Sequence, residues 1–228
     1  MKILAFDTTN STLSVAILFD GKIVAQKNIL EANQHSAILI PSIEECLNKA
    51  EIWYSNLDLI AFTNGPGSFT GIRVGLSCAK ALAISTDIPI IAVSSLATIA
   101  YSYLSEHKKI LVVNDARLDE FYLQEFVIEE GRLKTILEPT IIGSERIREF
   151  FPDEKFILAG SAKNMIKDNL KKSDLENAII FPKDDFIDAK NVAFLALDIF
   201  DKQGSRSDNE ALYIRKPKIS QRKRKNKS

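Results

Sequence analysis

Cysteine, histidine and tryptophan are almost missing from this chain of 228 residues, which has two, two and one of them. Two cysteines cannot build a disulfide framework or a cysteine-rich zinc site. Cys46 and Cys78 lie in helical, partly apolar stretches that suit buried free thiols. His35 and His107 are 72 residues apart, with no companion His or Cys at metal-ligand spacing. That argues against a catalytic zinc or iron centre. A serine hydrolase lacks its Gly-x-Ser-x-Gly elbow, which Gly65-Pro66-Gly67-Ser68-Phe69 misses by one position. No stretch reads as a signal peptide, because a strand pattern containing Asp7 starts almost at Met1. The uncharged run Ile88–Ser105 is about long enough to cross a bilayer. Its Pro89, Ser94, Ser95, Thr98 and Ser102 suit a buried strand followed by a helix instead. A soluble, cytoplasmic chain without membrane contact is the expectation.

Charge is present but unevenly spread. Thirty basic and thirty acidic side chains cancel formally, yet Arg215–Ser228 holds eight Lys or Arg and no acid. Residues 1–214 are left with 22 basic and 30 acidic groups, a net of −8. The basic end lacks apolar periodicity and reads as a solvated, disordered tail. Such a tail attracts nucleic acid non-specifically, so a contact with tRNA through Arg215–Ser228 is one reading of it.

Periodicity places the elements. Lys2–Asp7, Ser14–Phe19 and Lys22–Leu30 are β-type runs, the last two joined by the hairpin signal Asp20-Gly21. Leu39, Ile43, Leu47 and Ala50 share one face of a helix over His35–Ile52, with His35 placed to cap its start. Leu57–Phe62 is a buried strand, and the loop Asn64–Gly71 leads to a helix over Ile72–Ser85. Ile88–Val93 is another buried strand. The pattern then restarts: Lys109-Ile110-Leu111-Val112-Val113-Asn114-Asp115 echoes Lys2–Asp7, and Glu130-Gly131-Arg132-Leu133 echoes Asp20-Gly21-Lys22-Ile23. An amphipathic stretch Ser144–Phe151, a strand Lys155–Ala159 and helices near Ala162–Leu170 and Ala189–Lys202 follow. Two related α/β lobes result, residues 1–106 and 107–214, with 215–228 as the tail.

The loop Asn64-Gly65-Pro66-Gly67-Ser68-Phe69-Thr70-Gly71 could hold a phosphate at the next helix start. It lacks the Gly-Lys-Ser/Thr of a P-loop, so a tight strand-to-helix corner is preferred. Gly71, Gly75, Ala79 and Ala83 form a stripe of small side chains at helical spacing. Either a helix of the same chain or one from another subunit can lie against it. Asp7, beside Thr8 and Thr9, and Asp115, beside Arg117, each end a β-run. Two such carboxylates across a cleft could hold magnesium and orient a phosphoryl group. Against that, a strand-end Asp often caps a turn, and Arg117 is near enough to neutralise Asp115.

Taken together, Ile3-Leu4-Ala5-Phe6-Asp7-Thr8-Thr9, the segment around His35, Gly65-Pro66-Gly67-Ser68-Phe69-Thr70-Gly71, Asp115-Ala116-Arg117 and Tyr213-Ile214-Arg215 resemble the TsaB family. The likeness runs in order over nearly the whole chain except the tail. It implies the actin-like ATPase (ribonuclease H-like) superfold, two lobes each with a mixed sheet flanked by helices. It implies a non-catalytic scaffold for tRNA N6-threonylcarbamoyladenosine synthesis, pairing with the catalytic paralogue TsaD, with the ATPase TsaE in the larger complex. The helices containing Leu39, Ile43 and Leu47, and Gly71, Gly75, Ala79 and Ala83, would meet their TsaD equivalents, and self-association is invited when TsaD is absent. Where the catalytic relatives carry metal-binding histidines, this chain has Ser94-Ser95-Leu96-Ala97-Thr98. Where active members tend to show a Gly-Gly pair, Ala159-Gly160-Ser161 keeps one glycine. The older label glycoprotease has no protease constellation behind it. Asp7, Thr8, Thr9, Asp115 and Gly160 would then line a vestigial nucleotide cleft, with no metal and no required cofactor, weak ATP or ADP binding being left open. The rival reading is an active phosphotransferase using Asp7 and Asp115.

Overall fold

The computed structural model describes residues 1–30, 34–106, 108–183, 185–204, 210–212 and 214. His107, Tyr213 and the basic segment 215–228 lie outside the described residues. The chain opens with three antiparallel strands, β1 (Lys2–Asp7), β2 (Leu13–Phe19) and β3 (Lys22–Ile29). Asp20 and Gly21 both have positive φ, 47° and 75°, the backbone of a type I′ turn whose twist matches that of the strands. Helix α1 (His35–Ala50), strand β4 (Leu59–Gly65), helix α2 (Phe69–Thr86) and strand β5 (Ile90–Ser94) complete the first sheet. Its order is β3-β2-β1-β4-β5, with β4 parallel to both β1 and β5. The central strands β1 and β4 are covered on both faces, which is why Ile3-Leu4-Ala5-Phe6 and Leu59-Ile60-Ala61-Phe62 are unbroken apolar runs.

Helix α3 (Ser95–Tyr101) leads to the second copy, β6 (Lys109–Asp115), β7 (Glu120–Glu129), β8 (Arg132–Gly143) and β9 (Phe156–Ala159). Helix α4 (Lys163–Asn169), the two-residue strand β10 (Ala178–Ile179) and helix α5 (Ala189–Gln203) follow. The sheet order β8-β7-β6-β9-β10 repeats that of the first sheet strand for strand. Glu130 and Gly131 repeat the turn as well, with φ of 52° and 72°. Pro139 is tolerated in β8 because β8 is an edge strand. The amphipathic stretch after it forms a 3-10 segment, Ser144–Phe150, that buries Ile147.

One apolar layer joins the two sheets. The inner face of the first (Ile3, Ala5, Ala16, Leu18) and that of the second (Ile110, Val112, Phe126, Ile157) share a core with α3 and α5. The outer face of the first sheet packs under α1 and α2, and that of the second under α4 and the 3-10 segment. A cut between residues 106 and 107 separates the sheets but not this layer. Helix α5 follows the second sheet in the chain yet lies on β1 and β2 of the first. Its start is pinned there: Ala189 N donates to Ser14 Oγ (2.8 Å) and Gln26 Nε2 donates to the capping Asp188 (2.6 Å).

Candidate functional site

The parallel strands of both sheets end at a shared cleft of about 870 Å³, the place where open α/β sheets accept ligands. Its first-lobe wall is the Thr9–Thr12 turn, the start of α1 and the start of α2. Its second-lobe wall is Asp115–Leu118, Ser161 and Met165, and Leu212 and Ile214 cross its edge. The start of α2 is built as a tight corner: Ser68 caps it by accepting from Gly71 N (3.2 Å), and Ser68 N donates to Thr9 O (2.7 Å). The helix therefore begins at Phe69, three residues earlier than its apolar spacing suggests. The start of α1 is not capped by His35. Gln34 is the cap residue, and His35 Nε2 contacts Thr12 O at 3.2 Å.

Of the five residues expected in the cleft, only Thr9 and Asp115 line it. Asp7 is fully buried. Its Oδ1 accepts from Thr9 N (3.0 Å), Thr9 Oγ1 (2.6 Å) and Thr63 Oγ1, while Oδ2 has no partner. Burial raises its carboxyl above the ordinary 3.8, against the opposing pull of those hydrogen bonds. Thr8 is buried too, donating to Gly71 O at 2.8 Å. Gly160, at φ 104°, sits where a Cβ would meet Val113 O at 2.3 Å, and its N–H is spent on Asp185 (2.9 Å). Asp115 accepts from Arg117 N (2.7 Å) and pairs with the Arg117 guanidinium at 3.3 Å. Of the two readings of these carboxylates, the structure matches the turn-capping one: Asp7 is enclosed, and Asp115 is paired within its own turn by Arg117.

The helix residues expected at a partner surface are corrected as well. Leu39, Ile43 and Leu47 are buried in the core under the first sheet. Gly71, Gly75 and Ala79 face the same way. A Cβ on Gly71 would stand 1.9 Å from Thr8 O, and one on Gly75 would stand 2.7 Å from Thr8 Oγ1. The stripe is small because the Thr8–Thr9 turn that follows β1 passes against it. Ala83 is half-buried. The faces turned outward carry other residues: Ile40 and Pro41 on α1, Arg73, Ser77, Lys80, Ala81 and Ile84 on α2. Ile84 is 87% exposed and Trp53, just after α1, is 74% exposed. Phe69 at the start of α2 is covered by the Arg73 guanidinium, 3.8 Å from the ring centre.

One polar cluster has no marker in the sequence. Lys163 and Asp185, 2% and 3% exposed, pair at 2.8 Å below the second lobe. Asp185 also accepts from Tyr103 Oη (2.5 Å) and Gly160 N, and Lys163 donates to the carbonyl of Lys183. Every oxygen of Asp185 is engaged, as a buried carboxylate requires.

A sheet of order 3-2-1-4-5 repeated on either side of a cleft defines a two-lobed α/β protein of the actin-like, ribonuclease H-like superfold. The structure of YeaZ from Pseudomonas aeruginosa shares this fold, with a TM-score of 0.82 at 23% identity over 93% of this chain and 99% of that one. A family model described as TsaD, tRNA N6-adenosine threonylcarbamoyltransferase, matches residues 26–199. The tRNA threonylcarbamoyladenosine biosynthesis protein TsaB of Bacillus subtilis is 36% identical over 60% of either chain, so the match spans three fifths of that relative. The TsaB of Buchnera aphidicola subsp. Schizaphis graminum is 30% identical over 79% of this chain and 88% of its own length. The chain belongs to the TsaB family, within the broader TsaD-type fold.

Proposed function

We propose that the chain is a non-catalytic, cytoplasmic partner subunit in tRNA threonylcarbamoyladenosine synthesis, docking on a TsaD-type threonylcarbamoyltransferase through the outward faces of α1 and α2. The observation that carries the reading is the pairing of family membership with Ile84, 87% exposed in the last turn of α2 on a face that also carries Arg73 and Lys80. A large aliphatic side chain so exposed, on a lobe that also exposes Ile40 and Trp53, is the kind of surface that a partner covers. A TsaD-type occupant is favoured because the TsaD family model also describes this chain, so the two proteins can present equivalent helices to each other. A TsaE-type ATPase would join that assembly, and a homodimer would use the same faces when TsaD is absent. The scaffold role asks for no cofactor. The non-catalytic part of the reading is supported by Asp7 being enclosed by Thr9 and Thr63, and by Asp115 being held by Arg117. The rival phosphotransferase would need both free.

The test is co-purification with the TsaD-type partner and a tRNA modification assay, using Ile40→Glu and Ile84→Glu together. Pairing and modification should both be lost while the melting temperature stays within a few degrees of wild type. A surviving complex would remove α1 and α2 from the interface. Turnover by the isolated chain would remove the scaffold reading itself.

A further inference from the structure

Behind the cleft, across the segment that carries Asp185 and Phe186, a second cavity of about 380 Å³ opens to solvent. It lies where the end of α3 meets the start of α5. One wall is aromatic: Tyr101 and Phe194 stack with ring centres 6.3 Å apart and planes 14° apart. Buried Asn191 forms part of its lining. The Asn191 amide hydrogens go inward, to Ser102 Oγ (2.9 Å) and Thr98 O (3.4 Å), so Oδ1 is the amide's remaining acceptor. Lys183 and Lys190 stand exposed at the rim.

The two acids that line the cavity are already engaged. Asp185 is spent on Tyr103, Gly160 and Lys163. Asp188 caps α5, accepts from Gln26 and pairs with Lys190 at 3.2 Å. Among the described residues Lys183 pairs with no carboxylate, and its ammonium lies 5.0 Å from the centre of the Tyr103 ring. The loop that carries it is fixed from below, since the Lys183 carbonyl accepts from buried Lys163. A preformed aromatic wall, a fixed acceptor and one lysine that pairs with no carboxylate among the described residues thus converge on one cavity, within the range of about 300–1,000 Å³ that small ligands fill.

We propose that this cavity binds one nucleoside monophosphate unit. The base stacks on the Tyr101–Phe194 wall, as bases do on aromatic side chains. The phosphate sits between Lys183 and Lys190. The Asn191 Oδ1 acceptor selects a base with an exocyclic amino group, adenine, cytosine or guanine, over uracil. The same chemistry is offered by a free nucleotide and by an unstacked residue of an RNA chain, and the experiment separates the two.

The full chain is titrated calorimetrically with AMP, UMP, adenosine, inorganic phosphate and a short single-stranded oligoadenylate. Two variants are compared, Lys183→Ala with Lys190→Ala, and Ser161→Trp, which fills the separate interlobe cleft; circular dichroism confirms that each folds. AMP should bind more tightly than UMP, adenosine or phosphate. The double lysine variant should lose about tenfold in affinity, as expected when charge-assisted contacts to a phosphate are removed. Ser161→Trp should change nothing. An oligoadenylate that binds more tightly than AMP and loosens with salt assigns the site to RNA, and equal affinity assigns it to free nucleotide. Absence of binding by AMP and oligoadenylate alike overturns the proposal, as does binding that Ser161→Trp abolishes and the lysine substitutions leave intact.

Discussion

Gly71→Ala separates two meanings of the small-residue stripe on α2. On helix propensity alone, alanine is better than glycine by about 1 kcal/mol, so a stripe that faces solvent or a partner should tolerate the change and even gain stability. In the structure the new methyl would stand 1.9 Å from the Thr8 carbonyl oxygen, 3.0 Å from its carbon and 3.3 Å from Thr9 Cα. All three are backbone atoms at the end of the central strand β1, and none can swing away as a side-chain tip would. The helix must shift outward, at about 1–3 kcal/mol for overpacking. The shift also strains the buried hydrogen bond from Thr8 Oγ1 to Gly71 O, worth about 1 kcal/mol. After the propensity gain, a net loss of roughly 1–3 kcal/mol remains. In a urea titration, with a slope of about 2–3 kcal/mol/M for a chain of this size, the midpoint should fall by roughly 0.3–1.5 M at unchanged slope. A variant as stable as wild type, or more so, would refute the contact between α2 and the Thr8–Thr9 turn.

Three further outcomes follow from buried groups and exposed faces. Lys163→Met leaves Asp185 enclosed at 3% exposure without its cation, which should cost about 3–5 kcal/mol in chemical unfolding. Adding Asp185→Leu should recover much of that, and strictly additive losses would deny the coupling. For Asp7, burial raises the folded carboxyl above 3.8, so the folded state holds more protons than the unfolded chain as pH climbs past that value. Stability then falls with rising pH until the folded carboxyl has ionised. As pH rises above 3.8, wild type should lose stability relative to Asp7→Asn, and parallel pH profiles would contradict the direction of the shift. Ile84→Glu should leave the melting temperature within a few degrees while breaking association with the TsaD-type partner, because only an exposed side chain is changed. A steep drop in stability would mean that Ile84 is covered by its own chain.

The duplicated sheet was legible because its signals are local. Asp20-Gly21 and Glu130-Gly131 impose the same turn wherever they occur, and central strands must be apolar on both faces. Which way a helix points is not local. Gly71, Gly75 and Ala79 read identically whether the body against them is another subunit or Thr8, 63 positions back in the chain. Asp7 shows the same limit. A carboxylate ending a strand looks the same in sequence whether it opens on a cleft or is enclosed by Thr9 and Thr63, and Thr63 arrives only when β4 pairs with β1. Lys163 and Asp185 are two charged residues among many until the loop before α5 folds beneath α4. The two-residue strand β10 is too short to carry a period at all.

The two lobes share a topology but not an outer layer, and this difference bears on where the proposed pairing surface would lie. Over the first sheet lie α1 and α2, of 16 and 18 residues, about 24 and 27 Å long. Over the second lie the seven-residue helix α4 and a 3-10 segment, too short to offer a comparable ridge. A helix-on-helix interface of the kind proposed would therefore belong to the first lobe, and within it to the residues that α1 and α2 turn outward. Placing one negative charge at two depths of α2 makes the distinction measurable. Ala79→Glu would bury a carboxylate with no partner in the core beside Ile43 and Phe62, so it should unfold the chain. Ile84→Glu, little more than one turn further along, meets only solvent until the partner arrives. If instead the Ala79 variant folds normally and only pairing fails, α2 is turned about its axis from the orientation described, and the outward face has been assigned to the wrong side.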